Sequence, residues 1–265
     1  MMHHETALFK KHAKTFSFAA RLLGRSTARN VSVLYAFCRK IDDIADGEED
    51  TDKAAQILKN LRRDIAHHHS EDPETSAFIA FADAHGLEKR YLLELLDGVL
   101  SDCEEAVRIP NEKALARYCY HVAGTVGALM CPLLGVKEKH REAAKEAAIR
   151  LGIAMQLTNI ARDIKEDAKS NRIYIPLAWL EDSSPTALTL APEEGGADAR
   201  KACAKLLALA DYYYEAAKGG YAYLPFRSRI TIVLAAGLYR AIGHKIKRAG
   251  CAYWQGRMYL SGVKK

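Results

Sequence analysis

The sequence predicts an all-helical protein, and three observations carry that prediction. Apolar residues recur at three- and four-residue spacing along most of the 265 residues. Alanine and leucine abound while punctuation is sparse, with 17 Gly and 7 Pro, which favours helices. No stretch shows the alternation of a half-buried strand. With 49% hydrophobic and 27% charged residues, the composition is that of an ordinary globular protein, long enough to bury a substantial core.

Taken in order, 53–66 carries Ala54, Ile57, Leu58, Leu61 and Ile65 on one helical face, and 87–107 repeats the pattern with Leu92, Leu95, Leu96, Val99 and Leu100. The stretch 141–164, "REAAKEAAIRLGIAMQLTNIARDI", reads as one long helix, and 198–217 and 227–248 as two more. Loops are expected at 67–75, around Pro110 and Pro132, and at 183–198, where two prolines and two glycines fall. Apolar faces continue on both sides of 183–198, so residues 1–265 are expected to form one domain.

Composition also excludes. The amino terminus is too charged for a signal-peptide core, and the longest apolar run, "ITIVLAAGLY" (230–239), is about half of a bilayer crossing. Six scattered cysteines without a CxxC pair suit reduced packing residues. A cytoplasmic protein is expected. Consecutive histidines at 67–69 point to different sides of a helix and do not converge on one ion. The net charge of +6 suits anionic ligands or a membrane surface, and no nucleic-acid partner is expected.

Two stretches pack carboxylates into otherwise apolar helices. In "YAFCRKIDDIAD" (35–46), Tyr35, Arg39, Asp42 and Asp46 fall in one stripe at about 100° per residue, with Asp43 at its flank. In "QLTNIARDIKED" (156–167), Gln156, Asn159, Asp163 and Asp167 share a face, with Glu166 beside it. Each helix therefore offers two carboxylates one turn apart. Exposed, such a pair repels by a few tenths of a kcal/mol; beside a cavity, two carboxylates about 4 Å apart repel by roughly 4 kcal/mol. A cation should sit between them. Oxygen ligands without His or Cys favour Mg2+, which completes its shell with waters and substrate phosphates. Two such helices facing one another make a magnesium–diphosphate clamp, suited to ionising an allylic diphosphate inside an apolar, aromatic-lined cavity.

The blocks 35–46, "YCYHVAGTVGALMCPLLG" (118–135) and "QLTNIARDIKEDAKSNRIYIP" (156–176) resemble the three signature blocks of the squalene/phytoene synthase family. "HAKTFSFAARLL" (12–23) resembles the family's amino-terminal helix and "LYRAIGHKIKRAG" (238–250) its final long helix; only 183–210 lacks a recognisable block. The tail most resembles bacterial phytoene synthases. The resemblance implies a single-domain isoprenoid-synthase (class I terpenoid synthase) helical bundle around a central cavity. It assigns Asp42 and Asp46 to Mg2+ (or Mn2+) from one side, and Asp163 and Asp167, assisted by Asn159 and Gln156, from the other. His12, Lys14, Thr15, Tyr35, Arg39, Arg162 and Tyr239 match positions around the diphosphates, and Arg257 in "WQGR" is a further carry-over. Arg172 and Tyr174, in a flap-like segment 169–176, are expected to help close the site. Phe16, Tyr120, Ala123, Val126, Gly127 and Met130 are the expected walls of the prenyl channel, although Gly124 and Gly127 would equally serve close helix packing. Lys165 stands where many relatives carry Gly and is expected to point away from the carboxylates.

The implied reaction joins two prenyl diphosphates, geranylgeranyl diphosphate in the phytoene case, through a cyclopropyl diphosphate. Its alternatives are dehydrosqualene, presqualene diphosphate or, with NADPH, squalene from farnesyl diphosphate. A head-to-tail elongase is disfavoured because the second motif reads "DIKED" rather than D-D-x-x-D. A non-catalytic helical assembly factor on the same fold is disfavoured because both aspartate sets stand. Basic residues near the end (Lys245, Lys247, Arg248, Arg257, Lys264, Lys265) suggest peripheral contact with anionic lipid at the inner face of a membrane.

Overall fold

The computed structural model describes residues 22–47, 51–194, 196 and 199–258. His12, Lys14, Thr15 and Phe16, and Lys264 and Lys265 of the basic tail, lie outside the described residues. The first helices are α1 (Arg25–Gly47), α2 (Thr51–His67), α3 (Pro73–Ala84) and α4 (Lys89–Leu100). After a 3-10 turn and the two-residue strand β1 (Val107–Arg108) come α5 (Glu112–Cys119), a π-helical turn at Tyr120–Gly124, and α6 (Thr125–Leu133). The 29-residue helix α7 (Arg141–Lys169) leads into β2 (Arg172–Ile173), and α8 (Pro185–Thr189), α9 (Arg200–Ala217) and α10 (Phe226–Arg248) complete the order.

Local chemistry sets several of these starts. Asp72 accepts the Thr75 N–H at 2.9 Å ahead of Pro73, Asn111 accepts that of Ala114 at 3.0 Å, and Ser184 that of Ala187 at 3.2 Å, each satisfying an orphan donor of the first turn. The predicted apolar faces are the buried ones. Val31, Leu34, Phe37, Ile41 and Ala45 of α1, and Ala54, Leu58, Leu61 and Ile65 of α2, join the α3, α4 and α6 faces in one buried cluster. Ile153, Leu157, Ile160 and Ile164 of α7 meet α9 in a second. Each large buried side chain contributes about 1.5–3 kcal/mol.

Three boundaries differ from expectation. The helix predicted over 87–107 stops at Leu100, and the chain past it forms a short parallel pair in which Val107 faces Arg172 and Arg108 faces Ile173. Two-residue strands are too short to show alternation. Pro132 lies within the last turn of α6 rather than in a loop; it removes one i−4 hydrogen bond, and the helix ends one residue later. The 183–198 loop holds the five-residue α8. At the histidine run α2 ends on His67, His68 takes φ 60°, and its Nε2 lies 2.7 Å from Asp83. All six cysteines are free thiols.

Helix α7 is central because small residues let its neighbours close on it. A Cβ on Gly127 would lie 2.2 Å from the Ala148 carbonyl oxygen, and one on Gly152 would lie 2.2 Å from that of Ala123. Only glycine permits this reciprocal approach, which seats the π turn and α6 directly on α7.

Candidate active site

Helix α1 brings Arg39, Asp42 and Asp46, and α7 brings Gln156, Asn159, Arg162, Asp163 and Asp167, to the walls of one polar cavity of about 330 Å3. Tyr239 of α10, Arg257, Arg172, Tyr174, Asp102 and Tyr118 complete it. An apolar cavity of about 340 Å3 adjoins it, and Asp42, Gln156, Asn159 and Tyr239 line both. Tyr35, Ala123, Val126, Gly127 and Met130 line the apolar cavity, so Gly127 both packs on α7 and borders the cavity.

Tyr120 is not among the walls. Its hydroxyl donates to Glu94 Oε2 on α4 at 2.6 Å. The π turn that begins at Tyr120 adds a residue to the helical repeat and aims the following Val122 and Ala123 inward instead. None of Tyr212, Tyr213 and Tyr214 lines either cavity: Tyr212 is exposed, and the Tyr214 hydroxyl lies 3.2 Å from Thr158 Oγ1. Arg257 does not belong to the basic surface with Lys245, Lys247 and Arg248. Its Nε lies 2.8 Å from Asp163 Oδ1, an ion pair without hydrogen-bond alignment.

Each carboxylate is differently placed. Asp163 is buried and accepts from Arg162 Nε at 2.8 Å and Nη2 at 2.5 Å. Asp46 takes Arg172 Nη1 at 2.6 Å, while Arg172 Nη2 reaches the Asp102 carbonyl at 3.2 Å. The segment 169–176 is thereby tied to α1, as its flap-like position suggested. Asp43 points outward to Arg39, whose Nε donates to it at 3.0 Å. Lys165 also turns away as expected, donating to the Trp254 carbonyl at 2.7 Å.

The remaining carboxylates are held above the usual range. Asp42 is open to the cavity yet ringed by protein; that desolvation, reinforced by Asp46, pushes it up to about 7. Burial, seconded by Asp163, raises Asp167 well above the carboxylate range against the pull of Arg257 and Arg172. Asp102 is pushed up to about 6 by burial, against hydrogen bonds from the Tyr174 and Tyr118 hydroxyls at 2.8 and 3.0 Å. Burial also raises the Tyr239 hydroxyl.

Desolvation and mutual repulsion hold these carboxylates up despite the surrounding arginines, and a cation bound among them would relieve both. The donor set is all oxygen, two i,i+4 aspartate pairs plus Asn159, whose buried Oδ1 has no hydrogen-bond partner, and it fits a hard cation. Among the described residues no three His, Cys, Asp or Glu form a ready-made cage.

Asp102 and Tyr118 escaped the sequence reading. An acid in "SDCEE" looks like a solvated loop residue, and Tyr118 stands two places before the tyrosine chosen from the same block. Among the described residues no helix is long and apolar enough to cross a membrane.

Residues 9–264 match the family model described as squalene/phytoene synthase. The chain is 36% identical to a 15-cis-phytoene synthase of Enterobacter agglomerans over 96% of this chain and 88% of that one. It is 35% identical to a phytoene synthase of Pseudescherichia vulneris over 100% and 88%. The crystal structure of a dehydrosqualene synthase in complex with ligand superimposes with a TM-score of 0.73 at 25% identity, covering 93% of this chain and 86% of that chain.

Proposed function

Because the chain belongs to the squalene/phytoene synthase family, we propose that it is a prenyltransferase joining two molecules of geranylgeranyl diphosphate head to head into phytoene, with residues 1–265 acting as one catalytic domain. The observation that carries this reading is the pair of adjoining cavities. A carboxylate-rich chamber suited to metal and diphosphate opens, across Asp42, Gln156, Asn159 and Tyr239, into an apolar chamber suited to a prenyl chain.

In this reading Asp42 and Asp46 hold Mg2+, or Mn2+ in its place, from α1, and Asp163, Asp167 and Asn159 hold it from α7. Bound there, the ion supplies Lewis-acid stabilisation of the departing diphosphate. The guanidiniums of Arg39, Arg162, Arg172 and Arg257 surround the same chamber and offer planar donors for the diphosphate oxygens. His12, Lys14 and Thr15 are proposed to add to them. Tyr239 stands where the chambers meet and Tyr35 lines the apolar one, so both rings are available to an allylic cation formed there. Ala123, Val126, Gly127 and Met130, with Phe16, keep water from that cation until alkylation of the second chain and proton loss have closed the cyclopropane.

Purified protein with Mg2+ and geranylgeranyl diphosphate is expected to give a C40 hydrocarbon without NADPH, and chelation to stop it. Farnesyl diphosphate, run in parallel with and without NADPH, separates the C30 outcomes, of which only squalene needs the nicotinamide. Failure of the wild type to consume either substrate would overturn the proposal in favour of an assembly factor. The product is strongly apolar, so a cytoplasmic enzyme touching the inner membrane face is proposed, through Lys245, Lys247 and Arg248. Vesicle co-sedimentation should rise with anionic lipid content; a flat response refutes that part.

A further inference from the structure

One face of α7 runs the whole length of the apolar cavity. Asn159, Met155, Gly152, Ala148 and Ala144 follow one another along it at three- and four-residue steps, so at 1.5 Å per residue the wall from Asn159 to Ala144 measures about 22 Å. A five-carbon prenyl unit extends the chain by four backbone bonds of about 1.5 Å, about 5 Å in projection. Measured from Asn159, three units end close to residue 149 and a fourth lies beside Ala148, Ala147 and Ala144. Ala217 and Gly220 also line the cavity. Gly220 packs so close that a Cβ on it would lie 2.3 Å from the Ala147 Cβ. Nearer the metal end the α7 wall itself carries larger side chains, Leu151 and Met155, while Met130, one turn past the Gly127 that packs on Ala148, lies toward the Ala144 end.

We infer that Ala147 and Ala148, closed off by Gly220, are specificity-determining residues that admit the fourth prenyl unit and so select C20 over C15 diphosphates. The inference rests on the prenyl-binding reading of this cavity. A larger side chain at either position fills the space that only the longer substrate needs. Ala147 is buried and Gly220 already touches it, so added methyl groups have room only toward the cavity. Ala148 is only partly buried within the bundle, because its side chain borders the cavity.

The test compares wild type with Ala147→Val, Ala148→Leu and, as a control, Ala143→Val on the exposed side of α7. The first readout is the ratio of kcat/KM for farnesyl over geranylgeranyl diphosphate. The second is the ratio of Kd for the unreactive thiolodiphosphate analogues of the two, measured by calorimetry after melting curves show that each variant folds. The inference expects both ratios to rise at least tenfold in the two cavity variants and to stay within twofold in the control. Ratios unchanged in both cavity variants, or moved as far by Ala143→Val, would overturn it while leaving the head-to-head reaction intact. A wild type that neither turns over nor binds either compound would remove the proposed function and this inference together.

Discussion

Replacing Asp42 by Asn should stabilise the metal-free protein at pH 8 while removing its activity. Desolvation first and Asp46 second push the Asp42 carboxyl up to about 7. An acid raised in the folded state binds its proton more tightly there than when unfolded. The stability this gives is fully present below about pH 4 and is lost as pH rises through about 7. The rise from 3.8 to about 7 is about three units, which at about 1.36 kcal/mol each gives about 4 kcal/mol. Asp42 is open to cavity water, and screening of an accessible charge reduces the figure to about 1 kcal/mol. Asn has no charge to desolvate and recovers that amount. The assay is thermal unfolding of wild type and Asp42→Asn in chelator at pH 5 and pH 8. Other titrating groups are common to both proteins, so the difference between them isolates Asp42. The pH 5–8 window takes in about two of those three units, so the variant's advantage should grow by about 1–2 °C between the two pH values. Adding Mg2+ with inorganic pyrophosphate at pH 8 should raise the wild-type midpoint and leave the variant's unmoved. A variant that melts below wild type at pH 8, or a difference independent of pH, would refute the argument that this carboxylate awaits a cation.

Asp163→Ala should abolish turnover too, yet with the opposite sign on stability. It leaves the buried Arg162, and Arg257 beside it, without their carboxylate, a loss of about 3–5 kcal/mol visible in a denaturant melt. Arg172→Ala removes the donor that ties 169–176 to Asp46 and should lower kcat/KM about 100-fold. Arg172→Lys should not restore it, because an ammonium cannot reach Asp46 and the Asp102 carbonyl with a planar fork. Gly152→Ala places a methyl group 2.2 Å from the Ala123 carbonyl oxygen and should cost about 1–3 kcal/mol by overpacking, read as a lower melting midpoint.

Much of this could be read in the sequence, for reasons that also mark where reading stops. Helices α1, α2, α7 and α10 were legible because a buried stripe repeats every three or four residues, and Asp42, Asp46, Asp163 and Asp167 because their one-turn spacing puts each pair on one face. The meeting of the two pairs is a tertiary fact, carried in the sequence only by the resemblance of the blocks. Asp102 was illegible because its partners Tyr118 and Tyr174 lie 16 and 72 residues away, and no periodicity links them. Tyr120 was misplaced because a π turn does not announce itself in residue type. Periodicity counted at 3.6 residues loses its phase there, so it is Val122 and Ala123 that line the apolar cavity. Arg257 lines the polar cavity, but no spacing in the sequence anchors it there, since its route to Asp163 depends on the turn after α10.

That turn carries a practical consequence. Past Cys251 the chain doubles back over α7 and α9: the Tyr253 hydroxyl accepts the Ala199 N–H at 3.3 Å, the Trp254 carbonyl holds Lys165, and Arg257 reaches Asp163. One of the two tryptophans in the chain is therefore tied, through its carbonyl and Lys165, to the helix that bears Asp163 and Asp167. In a Trp179→Phe background its emission becomes a built-in gauge of chamber loading, readable without turnover, label or radioactive substrate.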